Sequence, residues 1–84
     1  MAKSGANSLT RQFGKPLQGM VLYNYAQTPR AKLYPTLQMA MEACIKLKKA
    51  KGITFEPDWK AHTLRATTNP CTSRIPAEIS WLQE

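Results

Sequence analysis

Residue types able to do covalent chemistry are few in this chain: one histidine, His62, and two cysteines, Cys44 and Cys71. Structural zinc sites use paired ligands such as CxxC, and a thiol nucleophile needs an imidazole base oriented by a third group. Neither spacing is present. Glu56 and Asp58 flank an expected turn, where charge accompanies chain reversal, so they read as structural and not as an acid–base pair. The glycines stand alone at positions 5, 14, 19 and 52, and no GxxxxGK[ST] phosphate loop occurs. The sequence therefore points to a non-enzymatic protein, with no cofactor, no metal and no small-molecule substrate expected. The two cysteines leave two states open. Oxidised, a Cys44–Cys71 bridge would tie a helix to the carboxy-terminal segment and add on the order of 3 kcal/mol. In a reducing compartment both would remain thiols.

Non-covalent chemistry is better represented. The stretch "IKLKKAKGITF" carries Lys46, Lys48, Lys49 and Lys51. Lysines at a helix end complement the negative end of its dipole, at about 0.3–1 kcal/mol each. They also suit docking to a polyanion, particularly if Arg30 and Lys32 lie nearby. The net charge of +7 is unevenly spread: residues 1 to 41 hold Lys3, Arg11, Lys15, Arg30 and Lys32 and no acid at all. Such a balance favours acidic partners. Tyr23 and Tyr25 alternate along one stretch, and aromatics on a sheet can stack unpaired bases, although a small core also needs its aromatics. The K/R-G-F/Y-G/A signature of an RNA-binding sheet is absent.

The elements that must position these residues follow from pattern. Residues 1 to 18 are small, polar and basic, which suggests a flexible arm preceding one domain over 19–84. "GMVLYNY" and "AKLY" read as two strands joined by a hairpin turn containing Thr28 and Pro29. Thr36 is the expected N-cap of a helix running to Lys49 or Ala50, with Gly52 as its left-handed cap. The apolar stripe of that helix is Leu37, Met41, Cys44 and Ile45. "GITFE", a "PD" turn and "WKAHTLRA" form a second hairpin. Neither face of the returning strand is cleanly apolar: Ala61, Thr63 and Arg65 alternate with Lys60, His62 and Leu64. "AEISWLQE" reads as a final strand or a short helix; a strand is preferred, since Ile79 and Trp81 would share a face. The expected fold is thus α+β, one helix packed on an antiparallel sheet in the order β-β-α-β-β, with a possible last β.

The stretch "YPTLQMAMEACIKLKKAKGITFEPDWKAHTLRA" resembles the middle of a PAN/apple-type module over residues 34 to 65. Cys44 matches a helix cysteine of that family and residues 52 to 65 match its hairpin, while Lys51 stands where the family usually has a further cysteine. The resemblance implies a one-helix, antiparallel-sheet module that binds proteins or carbohydrate.

Together these features lead to an interaction module that engages an acidic partner, as a small subunit of a larger assembly, with Arg11 and Lys15 of the arm and the basic helix end as contacts. Two alternatives stand beside it. One is a nucleic-acid-binding protein with Lys46, Lys48, Lys49, Lys51, Arg30 and Lys32 on phosphates and Tyr23 or Tyr25 on bases. The other is a secreted PAN/apple-like module. No apolar run approaches the roughly 20 residues of a membrane span. "MAKSGANSLTRQFGKP" lacks the apolar segment of a secretory signal, which favours an intracellular setting.

Overall fold

The computed structural model describes Leu9 and residues 11–84. In chain order the elements are β1 (Leu17–Gln18), β2 (Met20–Val21), α1 (Leu37–Lys46), β3 (Gly52–Glu56), β4 (Ala61–Arg65), β5 (Cys71–Thr72) and β6 (Ile79–Leu82). They form an α+β fold with a four-stranded antiparallel sheet, order β1-β6-β3-β4, and a two-stranded antiparallel sheet, β2-β5.

The β-branched run of "GITFE" pairs with "AHTLR" across the turn Pro57–Lys60 and with β6 on its other edge. This registration sorts side chains into rows. Leu64, Ile53 and Trp81 stand side by side on one face, as do His62, Phe55 and Ile79. Ala40, Met41 and Cys44 of α1 cover that face and close the apolar core. The helix starts where Thr36 accepts a hydrogen bond from the Met39 N–H at 3.2 Å.

The other face carries Thr63, Thr54 and Ser80 in one row, with Arg65 and Glu56 beside it. It too is buried, beneath β2 and the segment that follows. Thr54 Oγ1 accepts from the Leu22 N–H at 3.1 Å and pairs with Ser80 Oγ at 2.8 Å, while Ser80 donates to the Met20 carbonyl at 2.8 Å. Every residue of β4 is consequently buried. That explains its mixed alternation: His62 and Leu64 face the helix, whereas Ala61, Thr63 and Arg65 face the second layer. Among the described residues no buried side-chain polar atom lacks a hydrogen-bond partner.

The final strand preferred over a short helix is present as β6, and it lies inside the sheet between β1 and β3. Several other sequence expectations change. "GMVLYNY" and "AKLY" do not pair with each other. Only Met20–Val21 is a strand, and Tyr25 and Tyr34 instead form single bridges to Arg65 and His62 along the outer edge of β4. Within the segment 1 to 18, whose composition suggests an arm, Leu9 and Phe13 are buried, Phe13 bridges to Gln83 and β1 pairs with β6. Residues 1–8 and 10 of that expectation lie outside the described residues. Gly19, not Gly52, has the left-handed backbone, with φ +73°, and it turns the chain from the large sheet into the small one. The helix ends at Lys46, where the backbone becomes extended at Leu47. Ile45 is exposed, and the buried helix residues are Ala40, Met41 and Cys44.

Gly52 is instead required by close approach. A Cβ there would lie 2.6 Å from the Trp81 carbonyl oxygen and in collision with the Leu22 side chain. Gly52→Ala should therefore destabilise the protein by about 1–3 kcal/mol through overpacking, read as a lower urea midpoint with unchanged slope.

His62 supplies a pH dependence. It lies between the rings of Phe55 and Trp81, at 5.1 and 5.9 Å, and its Nδ1 is 3.2 Å from the Tyr34 carbonyl. Burial lowers its pKa, against which the bond to Tyr34 acts. As pH falls, the unfolded chain takes up this proton first. The contribution of His62 should be complete above about pH 6.5 and should be lost as pH falls through the lower folded-state value. Urea unfolding at pH 7.5 and 5.5 should show this loss, and His62→Phe, which keeps the ring contacts, should flatten it.

Candidate functional site

Arg65 organises the surface around the second sheet face. Its guanidinium is almost fully buried and lies 2.7 Å from Glu56 Oε2, the one ion pair among the described residues. Arg65 Nε also donates to Thr63 Oγ1 at 2.9 Å, and its Nη1 donates to the Leu22 carbonyl. Thr63 donates to the same Glu56 oxygen at 3.1 Å, and the Tyr25 hydroxyl donates to it at 3.2 Å. Arg65 Cζ lies over the Tyr25 ring, 4.2 Å from the ring centroid. Burial raises the Tyr25 pKa, Arg65 opposes this, and the Glu56 carboxylate adds to it. Tyr25 is thus held at both its ring and its hydroxyl while remaining 39 % exposed.

Two clefts meet at this ring. On one side Tyr25 joins Tyr23, Asn24, Arg65, Arg74 and Glu78 around a space of about 270 Å3. Glu78 is buried there and accepts a hydrogen bond from the Ser73 hydroxyl. Asn24 has φ +69°, a conformation that asparagine tolerates better than most residues, and its carbonyl accepts from the Ala66 N–H at 2.7 Å. On the other side Tyr25 joins Pro29, Arg30, Ala31, Leu33 and Trp59 around a second space of about 270 Å3. Trp59, on the β3–β4 turn, is 53 % exposed and Leu33 is 47 % exposed.

The basic helix end forms a third cleft, of about 290 Å3, lined by Cys44, Ile45, Leu47, Lys48, Ala50, Lys51, Gln83 and Glu84. Lys48 and Lys51 come together there. Lys46 and Lys49 are exposed outside it, and only Lys46 belongs to the last helical turn. The Cys44 thiol is 3.4 Å from Gln83 Oε1 and 3.9 Å from the Gly52 carbonyl. Burial pushes its pKa up to about 11, with Lys51 acting the other way, which favours the protonated thiol that faces Gln83.

Cys71 lies on the exposed β5, and both cysteines are free, so of the two states left open by the sequence the structure has the thiols. Buried Cys44 packs under the large sheet, whereas β5 belongs to the small one. Tyr23 and Tyr25 do share a cleft, although not as strand neighbours. Lys32 Nζ lies 5.6 Å from the centroid of the Tyr34 ring. Arg11 and Lys15 are exposed. Sequence reasoning missed Trp59, Leu33 and Arg74 as surface residues, and it missed Arg65 as the residue that holds Tyr25. The one available signal was an arginine in the middle of a strand-forming run. Among the described residues no helix is long and apolar enough to cross a membrane. No group of three or more His, Cys, Asp or Glu that could hold a metal occurs among them either. Comparison with known proteins finds no matching family model, no matching characterised protein and no matching solved structure.

The ion pair predicts an asymmetric response to mutation. Glu56→Gln leaves a buried guanidinium without its counter-charge and should cost about 3 kcal/mol, the lower end for a broken buried pair, because Glu56 keeps some solvent contact. Replacing both residues, as Glu56→Gln with Arg65→Met, should cost less than the two single changes added together. A double-mutant cycle on urea unfolding measures the difference.

Proposed function

We propose that this protein is a non-enzymatic binding module that engages an acidic macromolecular partner through its cationic surface. The observation that carries this reading is how the fold distributes charge. Ten cations are exposed: Arg11, Lys15, Arg30, Lys32, Lys46, Lys48, Lys49, Lys51, Lys60 and Arg74. None of them forms an ion pair with a described residue. The acids are spent differently. Glu56 is engaged by Arg65 and Glu78 is buried with Ser73, which leaves Glu42, Asp58 and Glu84 exposed. The surface is therefore more one-sided than the composition, and its field draws anions from several directions.

Lys48 and Lys51 are the contacts to test first, because they converge on one cleft instead of pointing apart. Salt should weaken the interaction, since exposed charges are screened over about 10 Å at 0.1 M ionic strength. Labelled heparin and poly-glutamate, titrated by fluorescence anisotropy across a salt series, provide the measurement. Wild-type protein should bind both near physiological salt, and Lys48→Glu with Lys51→Glu should weaken binding and flatten the salt slope by about one to two. Absence of binding to either polymer at low salt would remove this reading.

A further inference from the structure

The cleft between Tyr25 and Trp59 has features that general anion attraction does not require. An exposed tryptophan, a tyrosine and Leu33 line one concave space, with Pro29 and Ala31 as its remaining apolar walls and Arg30 at its edge. We infer that this cleft is a stacking site for an unpaired base of a single-stranded nucleic acid; the inference rests on the cationic binding reading above and assigns its partner.

The cleft combines flat apolar surface with positive charge. Stacking on an aromatic side chain accepts any base, and neighbouring cations hold the phosphates on either side. Lys60 follows Trp59 directly in the turn, Lys32 precedes Leu33, and both are exposed together with Arg30. Asp58 is the exposed acid of the same turn, against Arg30 on the cleft and Lys32 and Lys60 in the segments that carry its walls. The charge favours a polyanion over a neutral sugar or an apolar peptide.

Tyr25 is also fixed before any ligand arrives. Arg65 lies against its ring and Glu56 accepts from its hydroxyl, so docking a base beside it freezes few further rotamers. Duplex DNA would present its bases already stacked on one another and unavailable to this cleft. An unpaired strand offers them.

The test uses the full chain and two labelled probes: dT12 and an abasic twelve-mer carrying the same phosphates. Wild-type protein should bind dT12 more tightly than the abasic chain. Trp59→Ala should weaken dT12 by about 5- to 150-fold, the range of a single stacking aromatic, and leave abasic binding unchanged. Trp59→Phe should restore most of the loss, and a thermal melt of each variant checks that the turn remains folded. Tryptophan emission should be quenched by dT12 and not by the abasic chain, since Trp81 is buried and Trp59 is exposed. Equal affinity for the two probes, unchanged in Trp59→Ala, would overturn the stacking site while the cationic reading stands. Binding to poly-glutamate with none to either twelve-mer would overturn the nucleic-acid assignment alone. Failure of every polyanion to bind would overturn both.

Discussion

A guanidinium cannot be placed in a protein interior without a counter-charge and without acceptors for its remaining N–H groups. Arg65 has both, in Glu56 across the hairpin and in Thr63 and the Leu22 carbonyl beside it. Each partner belongs to a different stretch of chain, so satisfying one side chain fixes the β3–β4 hairpin, the path after β2 and the pose of Tyr25 together. A buried pair of this kind is a modest source of net stability, because desolvation offsets much of the attraction. Its consequence is specificity: arrangements that separate the hairpin from the segment around Leu22 leave a charge stranded.

The same layer shows how a small chain can bury both faces of a sheet. Among the described elements one helix, α1, covers the face bearing Ile53, Leu64 and Trp81 with apolar side chains. The opposite face is closed by the buried Leu22 side chain together with backbone, and backbone brings N–H and C=O groups that need partners. The Thr63–Thr54–Ser80 row provides them, through the Leu22 N–H and the Met20 carbonyl. Threonine and serine are therefore core residues here, matched to a layer built of loop and very short strands.

Charge is arranged by the same packing. Two of the five carboxylates are drawn into internal hydrogen bonds, while all but one of the described cations remain outside. The surface available to a partner is in this way a product of the fold as well as of the composition. Arg65, the exception, acts from beneath: it holds a tyrosine at the boundary of two clefts and contacts solvent hardly at all.

Local signals in the sequence determined the α+β class, the helix with Thr36 as its cap, the strand "GITFE" with its return, and the excess of exposed cations. Each rests on neighbours within a few residues: a capping hydroxyl, a helical spacing of apolar side chains, a β-branched run beside a turn. Tertiary structure decided the rest, because it depends on partners distant in the chain. The central position of Ile79–Leu82 follows from its having two strand neighbours, which no local pattern encodes. Residues 17–18 became a strand for the same reason, in a segment whose composition suggested an arm. The mixed alternation of Ala61–Arg65 could not reveal an inward face because both faces are inward. For the candidate site, lysines are legible one by one, yet only folding determines that Lys48 and Lys51 converge while Lys46 and Lys49 do not. Trp59 meets Tyr25 across a gap in sequence that closes only when β3 pairs with β4 and the Tyr25 segment bridges to its edge.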